Sequence, residues 1–314
     1  MTANNEPTIH VEHDEAGTNV EHDTHDNAYS GLLVNDANWA FGTDFEDPLA
    51  GVDTTVPDGV DAKDLGAYCL MLGDDALVQS QRLTEWVTRA PELEDEVALA
   101  NIALDLLGQA RFLLARAGQA DGTGRDEDEL AYHRDEADYR NVRLSELPMP
   151  DFARTITTTL VLSTWRLALF HNLTGSRDPV LAAIAAKGVK ELTYHRDYTA
   201  RWTVRLGDGT EHSAERTRIA LAETWPLVDE LFTAHPVERR AAEAGFGTDP
   251  AGTRPEFDTA VGQVLDAAQL ERPDTAPLSS IGGRAGRDGV HTEHLGFLLA
   301  EMQSVARAHP EATW

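Results

Sequence analysis

Apolar residues recur every three or four positions along most of this chain, and this pattern limits its fold more than any other feature. In residues 61–90 the recurring positions include Leu65, Leu72 and Leu83, and residues 91–118 continue the pattern. Such spacing places apolar side chains on one face of an α-helix. Alternating runs of β-branched residues are nearly absent, so the sequence predicts an all-α fold.

A second pair of long helices is predicted after the first. Residues 149–176 and 180–209 carry the same periodicity, and Asp151 is a candidate N-cap. In the first pair, Pro91 is expected to open the second helix and Gly118 to end it. Long helices joined by short connections pack as antiparallel hairpins, so we expect a four-helix bundle. Accessory C-terminal helices are expected near residues 213–234, 256–268 and 290–308.

Residues 1–60 differ in composition from the rest of the chain. They are rich in Asp, Asn, Thr and Gly, which predicts an acidic, disordered extension before a helical domain at 61–314. No basic and apolar leader and no apolar run of about 18 residues is present, which predicts a cytoplasmic protein without a membrane span. Four histidines of the extension have no metal-site spacing and are expected to be solvated: His10, His13, His22 and His25.

The charge balance excludes one class of partner. The chain has 54 acidic and 26 basic residues, a formal net charge of −28, and lysine occurs only at Lys63, Lys187 and Lys190. This field repels phosphate backbones, so nucleic-acid binding is not expected. The acid could serve a basic partner, but its even spread favours a surface adapted to concentrated salt, as in halophilic proteins.

Four-helix bundles can hold two metal ions when each hairpin supplies one carboxylate and one Glu-x-x-His pair. In the first hairpin, Asp75 and Asp105 each lie fifteen residues from the turn near Ala90, so they are expected at the same height. Asp74 could point inward in place of Asp75. Three residues after Asp105, where a ligand histidine would lie, stands Gly108.

In the second hairpin the matching carboxylate is Glu191, and the partner position holds Tyr194. His195 lies about 100° further round the helix. The opposing helix offers only Thr157–Thr159 at that depth. The six candidate positions predict a dismantled site with no metal and no catalytic residue, although an unusual carboxylate-rich metal site is the alternative: Asp75, Asp105, Gly108, Glu191, Tyr194 and His195. Buried carboxylates would then need cations, for which the candidates are Arg111, Arg166 and Lys187.

Other motifs give structural predictions only. Cys69 is expected to pack as a small apolar side chain, and the glycine-rich residues 282–286 to form a loop. The charged run 124–141 is interpreted as a solvated surface. Three tryptophans at core-like positions are expected to pack inside the bundle: Trp165, Trp202 and Trp225.

Several segments together resemble one protein family, the structural (PaaC-type) subunits of bacterial phenylacetyl-CoA epoxidases. The resemblance is collinear from about residue 62 to the C-terminus. It is carried by YCLMLGDDALVQSQRLTEW, APELEDEVALANIALDLLGQAR, GRDEDELAYHRDEADYRN, IAAKGVKELTYHRDYTARWTVRLGDGT and GVHTEHLGFLLAEMQSVAR.

The resemblance implies a ferritin-like fold and a non-catalytic role in phenylacetate catabolism. It implies a multicomponent monooxygenase that adds one oxygen atom across the ring of phenylacetyl-CoA. A sister subunit is implied to hold the di-iron centre and the substrate. A small subunit and a reductase with flavin, an iron–sulfur cluster and NADPH complete the system, and no cofactor is expected in this chain.

The chain is therefore expected to act through its surface, by pairing with the catalytic subunit. The C-terminal block with His291 and His294 is the candidate contact, and deleting residues 290–314 is expected to abolish co-purification. Two alternatives remain open. One is a self-sufficient di-metal oxygenase that uses Asp75, Asp105, Glu191 and His195, and the other is an acyl-CoA-binding helical protein.

Overall fold

The computed structural model describes Leu49 and residues 51–278 and 280–312. Within that part of the chain the regular structure is helical and no β-strand forms, which confirms the all-α prediction. The four histidines of the predicted extension lie outside the described residues. The α-helices of the described part are α1 (Ala62–Thr84), α2 (Leu93–Ala120), α3 (Glu127–Tyr132), α4 (Arg143–Glu146), α5 (Phe152–Leu173), α6 (Pro179–Gly207), α7 (Glu211–Thr224), α8 (Pro236–Glu243), α9 (Arg254–Ala267) and α10 (Glu293–Ala308).

Four long helices form the predicted bundle of two hairpins. Helix α1 packs along α2, α5 packs along α6, and the two hairpins also meet where α2 contacts α6. Side-chain caps mark the helix starts: Asp61, Asp151 and Asp178 each accept a hydrogen bond from the backbone N–H three residues later. The expectation for Asp151 is therefore confirmed.

Three predicted helix boundaries were wrong. Helix α2 begins at Leu93 with Glu92 as its N-cap, so Pro91 precedes it, and it continues through Gly118 to Ala120. Gly118 is needed for close approach of the following loop, because a Cβ there would lie 1.9 Å from the carbonyl oxygen of Arg125. The helix predicted at 213–234 ends at Thr224 and continues as a 3-10 helix, Trp225–Phe232.

The packed domain begins earlier than the predicted boundary at residue 61. Val52, Val56 and Val60 are partly buried against the hydrophobic core. The Arg116 guanidinium on α2 also donates a hydrogen bond to the carbonyl oxygen of Thr54, at 2.6 Å. The three valines and the hydrogen bond from Arg116 thus attach residues 51–60 to the bundle.

The charged run 124–141 is solvated along its acidic side chains, as predicted, because none of its Asp or Glu side chains is buried, but part of the run also packs against the bundle. Leu130 and Tyr139 are fully buried, and Arg134 is buried in an ion pair with Asp74. Arg134 is buried because the buried carboxylate of Asp74 on α1 needs a cation. The run therefore covers the first hairpin and supplies a cation to it.

The remaining packing predictions are confirmed. Trp165 and Trp225 are buried, and half-buried Trp202 donates its indole N–H to Asp95 at 2.9 Å, which ties α6 to α2. Burial raises the pKa of the Cys69 thiol well above its ordinary value, so this group stays protonated. Gly282 and Gly283 form a turn with positive φ, as expected of a loop.

Candidate site at the bundle centre

Both adjacent aspartates of α1 are buried, and each faces its own arginine. The Asp75 carboxylate pairs with the Arg287 guanidinium at 2.8 Å and accepts the backbone N–H of Val142 at 2.8 Å. Asp74 pairs with Arg134 and accepts the backbone N–H of Arg140 at 2.8 Å. Neither carboxylate is left without a cation, and both arginines come from outside the four long helices.

Arg287 is the cation that sequence reasoning missed. It follows the glycine turn and also donates to the carbonyl oxygens of Met71 and Arg140, at 3.1 and 2.7 Å. Burial works to lower the pKa of Arg287, but the charges of Asp75 and Glu238 raise it overall, so the guanidinium is charged. Two adjacent mid-helix aspartates signalled a need for buried cations, but no spacing rule selects one among 23 arginines, the 26 basic residues minus three lysines.

A fully buried arginine lies between the two hairpins. Arg166 of α5 donates from Nε to the Gln109 side-chain oxygen at 2.9 Å and from Nη1 to the Leu72 carbonyl at 3.1 Å. Gln109 in turn donates to Glu191 at 2.9 Å, and Lys187 pairs with Glu191 at 3.3 Å. Burial lowers the pKa of Arg166 to about 10, against the opposing effect of Asp75. The guanidinium is therefore still charged at neutral pH.

Three cations were predicted to neutralise the buried carboxylates, and only some of them do so. Lys187 neutralises Glu191, and Arg166 occupies the bundle centre. Arg111 is more than half exposed and pairs with Glu127 at the surface. This part of α5 carries Thr157, Thr158 and Thr159 and therefore offers no carboxylate, and the three hydroxyls are buried without a hydrogen-bond partner.

The outer edge of the site lies between α2 and α6. His195 Nε2 is 2.9 Å from Asp105 Oδ2, and the Asp105 side chain is 35% exposed while His195 is buried. Gly108 and Tyr194 do not face the centre: an added Cβ at Gly108 meets nothing within 4 Å, and Tyr194 is 46% exposed. The structure thus brings Asp105 to His195 and Gln109 to Glu191, and it leaves Gly108 and Tyr194 on the surface.

This arrangement does not fit a di-metal centre. Among the described residues, no group of three or more His, Cys, Asp or Glu side chains is placed to hold a metal ion. The oxygens of Asp75 face Arg287, those of Glu191 face Gln109 and Lys187, and the Arg166 guanidinium lies among them. A metal cation there would be repelled by charges that already neutralise its would-be ligands.

His291 is not available as a partner contact, which corrects that prediction. Its side chain and that of Glu146 are both fully buried, with Nδ1 to Oε2 at 2.8 Å, and Nε2 lies 3.1 Å from the Tyr139 carbonyl. The start of α10 is docked on α4, because Glu146 also accepts the Thr292 backbone N–H. His294 is half-buried, and its role as a contact stays a prediction.

Deleting residues 290–314 is a poor test of contact for the same reason. Helix α10 buries Leu295, Leu298 and Leu299 in the core of the chain itself. Removing them would expose the bundle and destabilise the fold whatever the partner does. The test of an interface must instead change exposed side chains.

The buried His291–Glu146 pair predicts a pH dependence of stability. Burial lowers the pKa of His291, but the hydrogen bond to Glu146 and its charge raise it above the ordinary 6.5 overall. The protonated pair therefore stabilises the fold fully below about pH 6.5, and this contribution is lost as the pH rises through the raised pKa. Urea unfolding of the wild type and His291→Gln should show their free-energy difference shrinking from pH 6 to about pH 9.

An exposed histidine provides the control for that measurement. His309→Gln should follow the wild type at every pH, because His309 is exposed at the end of α10. A His291→Gln difference that stays constant, or grows as the pH rises, would contradict the charged pair.

Two helical hairpins packed into one bundle of four long helices define the chain as a ferritin-like bundle protein. Residues 52–314 match the family described as phenylacetic acid catabolic protein. The chain is 44% identical over 250 residues to the C subunit of the 1,2-phenylacetyl-CoA epoxidase of Escherichia coli (strain K12), across 80% of this chain and 99% of that relative. The chain belongs to the phenylacetic acid catabolic protein family.

Proposed function

We propose that this chain is the non-catalytic structural subunit of a multicomponent phenylacetyl-CoA epoxidase in aerobic phenylacetate degradation. The near-complete coverage of the Escherichia coli relative supports the assignment to the enzyme. One observation carries the non-catalytic role: the fully buried Arg166 reaches Gln109 at the bundle centre, and Gln109 holds Glu191. Asp75 and Glu191 are already paired with Arg287 and Lys187, so this bundle serves as a rigid scaffold.

The chemistry of the enzyme is then assigned to the partners. A sister subunit would hold the di-iron centre, which activates oxygen when bound, together with the aryl-CoA substrate. A small subunit and a reductase with flavin, iron–sulfur cluster and NADPH would complete the complex. The residues of this chain hold the helices in register through buried ion pairs such as Asp75–Arg287 and Arg116–Asp178, so that a fixed surface meets the sister subunit.

A substitution at Glu191 separates this proposal from a self-sufficient oxygenase. In the reconstituted complex, Glu191→Gln in this chain should leave phenylacetyl-CoA epoxidation within about twofold of wild type, because Glu191 only accepts from Gln109 and Lys187. If Glu191 held an iron here, the loss should exceed about a hundredfold. The isolated chain should neither turn over phenylacetyl-CoA nor bind it tightly; turnover would support an oxygenase and tight binding an acyl-CoA carrier.

We further propose a cytoplasmic protein adapted to concentrated salt. The support is the net charge of −28, with acid spread over the chain and only three lysines. Repulsion among exposed carboxylates is screened by salt. The melting temperature should therefore rise steeply from dilute to concentrated potassium chloride, and a flat or falling curve would contradict this adaptation.

A further inference from the structure

Three of the 23 arginines make no hydrogen bond or ion pair within the described part of the chain, although acidic residues outnumber basic ones by 54 to 26. One is Arg89, which lies 5.0 Å from the ring of Trp86. The other two, Arg201 and Arg205, are one turn apart on α6 and line the same groove. In so acidic a chain, two neighbouring arginines without a carboxylate are available to a ligand.

The groove lies between α6 and α9 and has a volume of about 450 Å³. Just beyond it the two helices meet closely, because an added Cβ at Gly207 would lie 2.5 Å from the carbonyl oxygen of Ala268. Gln263 lines the groove from α9 with its side-chain amide, and the walls are aliphatic: Ala200, Val204, Val264 and Ala267. A mostly apolar cavity of this size with a few polar groups is typical of small-molecule sites.

The nearby carboxylates do not neutralise these two arginines. Asp197, one turn before Arg201, pairs with Arg196 at 3.4 Å. Asp208, which follows α6, accepts the side-chain amide of Gln269 at 2.8 Å. Among the described residues, no Asp or Glu lines the groove, so its two positive charges have no counter-charge there.

The Arg205 guanidinium is held in place without the use of its donors. It lies 5.2 Å from the ring of Trp202, and the indole N–H of Trp202 donates to Asp95 at 2.9 Å. An arginine that packs on an aromatic ring keeps its N–H fork free, and it loses less side-chain freedom when a ligand binds. The groove therefore has one pre-positioned cation and a second cation one turn away.

The helix ends next to the groove limit the charge of its ligand. Arg205 lies in the last turn of α6, and Ala267 is the last residue of α9. Each helix C-terminus carries about −0.5 elementary charge, so the two ends offset about one of the two arginine charges. The remaining charge suits a monoanion better than a phosphate dianion. An arginine fork binds a carboxylate through two parallel hydrogen bonds, and the aliphatic walls would cover an apolar body.

We propose that the α6–α9 groove, through Arg201 and Arg205, binds a small monocarboxylate with an apolar body, of the arylacetate class. The groove shares no residue with the bundle centre, and its lining comes from this chain alone. The inference therefore goes beyond the proposed function and does not depend on the sister subunit.

Phenylacetate is the probe for this site, because the family is described by the catabolism of this acid. Calorimetric titration of the full-length chain in concentrated potassium chloride should give one phenylacetate per chain. The neutral analogue 2-phenylethanol has the same ring without the carboxylate, so it should bind at least tenfold more weakly. Equal binding of the two compounds would overturn the role of the arginines.

The double variant Arg201→Gln with Arg205→Gln tests the cations directly. It should bind phenylacetate at least tenfold more weakly than the wild type, because it removes both positive charges of the groove. Arg89→Gln is the matched control, since Arg89 also lacks a hydrogen bond and an ion pair but lies outside the groove. It should change binding less than twofold, and both variants should melt within a few degrees of the wild type.

A bulky substitution tests the groove by size. Ala267 is exposed on the α9 wall, so Ala267→Phe should fill the space and weaken phenylacetate binding at least tenfold. Ala300→Phe is the control, because Ala300 is an exposed helical alanine of α10 that does not line the groove. Its binding should stay within twofold of the wild type.

Three results would overturn this site. The first is a wild type that does not bind phenylacetate, and the second is binding that the double arginine variant retains. The third is inorganic phosphate that binds as tightly as phenylacetate and is lost with the same two arginines, because the groove would then select charge and not a carboxylate on an apolar body. The proposed function is tested separately, by epoxidation with the Glu191→Gln variant.

Discussion

Arg287→Met should lower the free energy of unfolding by about 3–5 kcal/mol, because it leaves a buried carboxylate without its cation. Asp75 is almost fully buried and pairs with Arg287 at 2.8 Å. The same guanidinium donates to the carbonyl oxygens of Met71 and Arg140, which would lose their donor. Urea unfolding monitored by circular dichroism measures the loss directly.

Arg166→Met is the control for that substitution. Arg166 is equally buried, but its side chain donates to a neutral amide and a carbonyl and makes no carboxylate ion pair. Its removal also relieves the burial of a charge, so the expected loss is at most about 2 kcal/mol. The double variant Asp75→Asn with Arg287→Met should lose less than Arg287→Met alone. Equal losses for the two arginines would contradict the role given to the Asp75 pair.

Arg116→Met should cost about 3 kcal/mol and should also release the segment before α1. The side chains of Arg116 and Asp178 are both fully buried and form an ion pair. Asp178 caps α6, and Arg116 also donates to the carbonyl oxygen of Thr54 at 2.6 Å. The loss of this cation leaves a buried charge at the start of α6 and removes an attachment of residues 51–60.

Two measurements test the Arg116→Met variant. Urea unfolding gives the free-energy change, and limited proteolysis should show faster cleavage within residues 51–60. Arg125→Met is the surface control, because its ion pair with Asp121 is partly exposed and should contribute no more than about 0.5 kcal/mol. Unchanged cleavage in Arg116→Met would show that the apolar contacts of Val52 and Val56 hold the segment without this hydrogen bond.

The helices were the part of the structure that the sequence could predict. The four long helices follow from helical periodicity and from local caps such as Asp151, which depend only on neighbouring residues. The loop after α2 was less predictable, since Gly118 serves a contact with Arg125 and not a helix end. Glycine is typical both of a helix end and of a close backbone contact. The sequence alone therefore does not show which role Gly118 has, and the tertiary contact does.

The candidate site could be located on the four long helices, but neither the exact register of α1 and α2 nor the rotation of their side chains could be read from the sequence. Counting from Ala90 placed Asp75 opposite Asp105, but residues 85–92 are not helical in the way that the count assumed, and the observed register puts Gly73 against Leu114 and Ser80 against Ala103. An error of one residue in this count changes the predicted direction of a side chain by about 100° about the helix axis. Gly108 proved to lie on the outer surface, and so did Tyr194, whose place was predicted from its spacing after Glu191.

The partners of the buried carboxylates could not be predicted at all. Arg134 and Arg287 reach α1 from segments about 60 and 212 positions away in sequence. Charge compensation requires some cation, but any of many arginines meets that requirement. The same long-range pairing placed His291 inside the fold when its position near a helix start favoured a surface role.

The iron content of the purified chain tests the central claim most directly. The chain should be expressed alone, kept in concentrated salt and analysed for metal beside its complex with the sister subunit. We predict close to zero iron per chain alone, and about two irons for each sister subunit in the complex. Close to two irons per chain alone would contradict the account, because Arg166 and the paired carboxylates could then not fill the bundle centre as described.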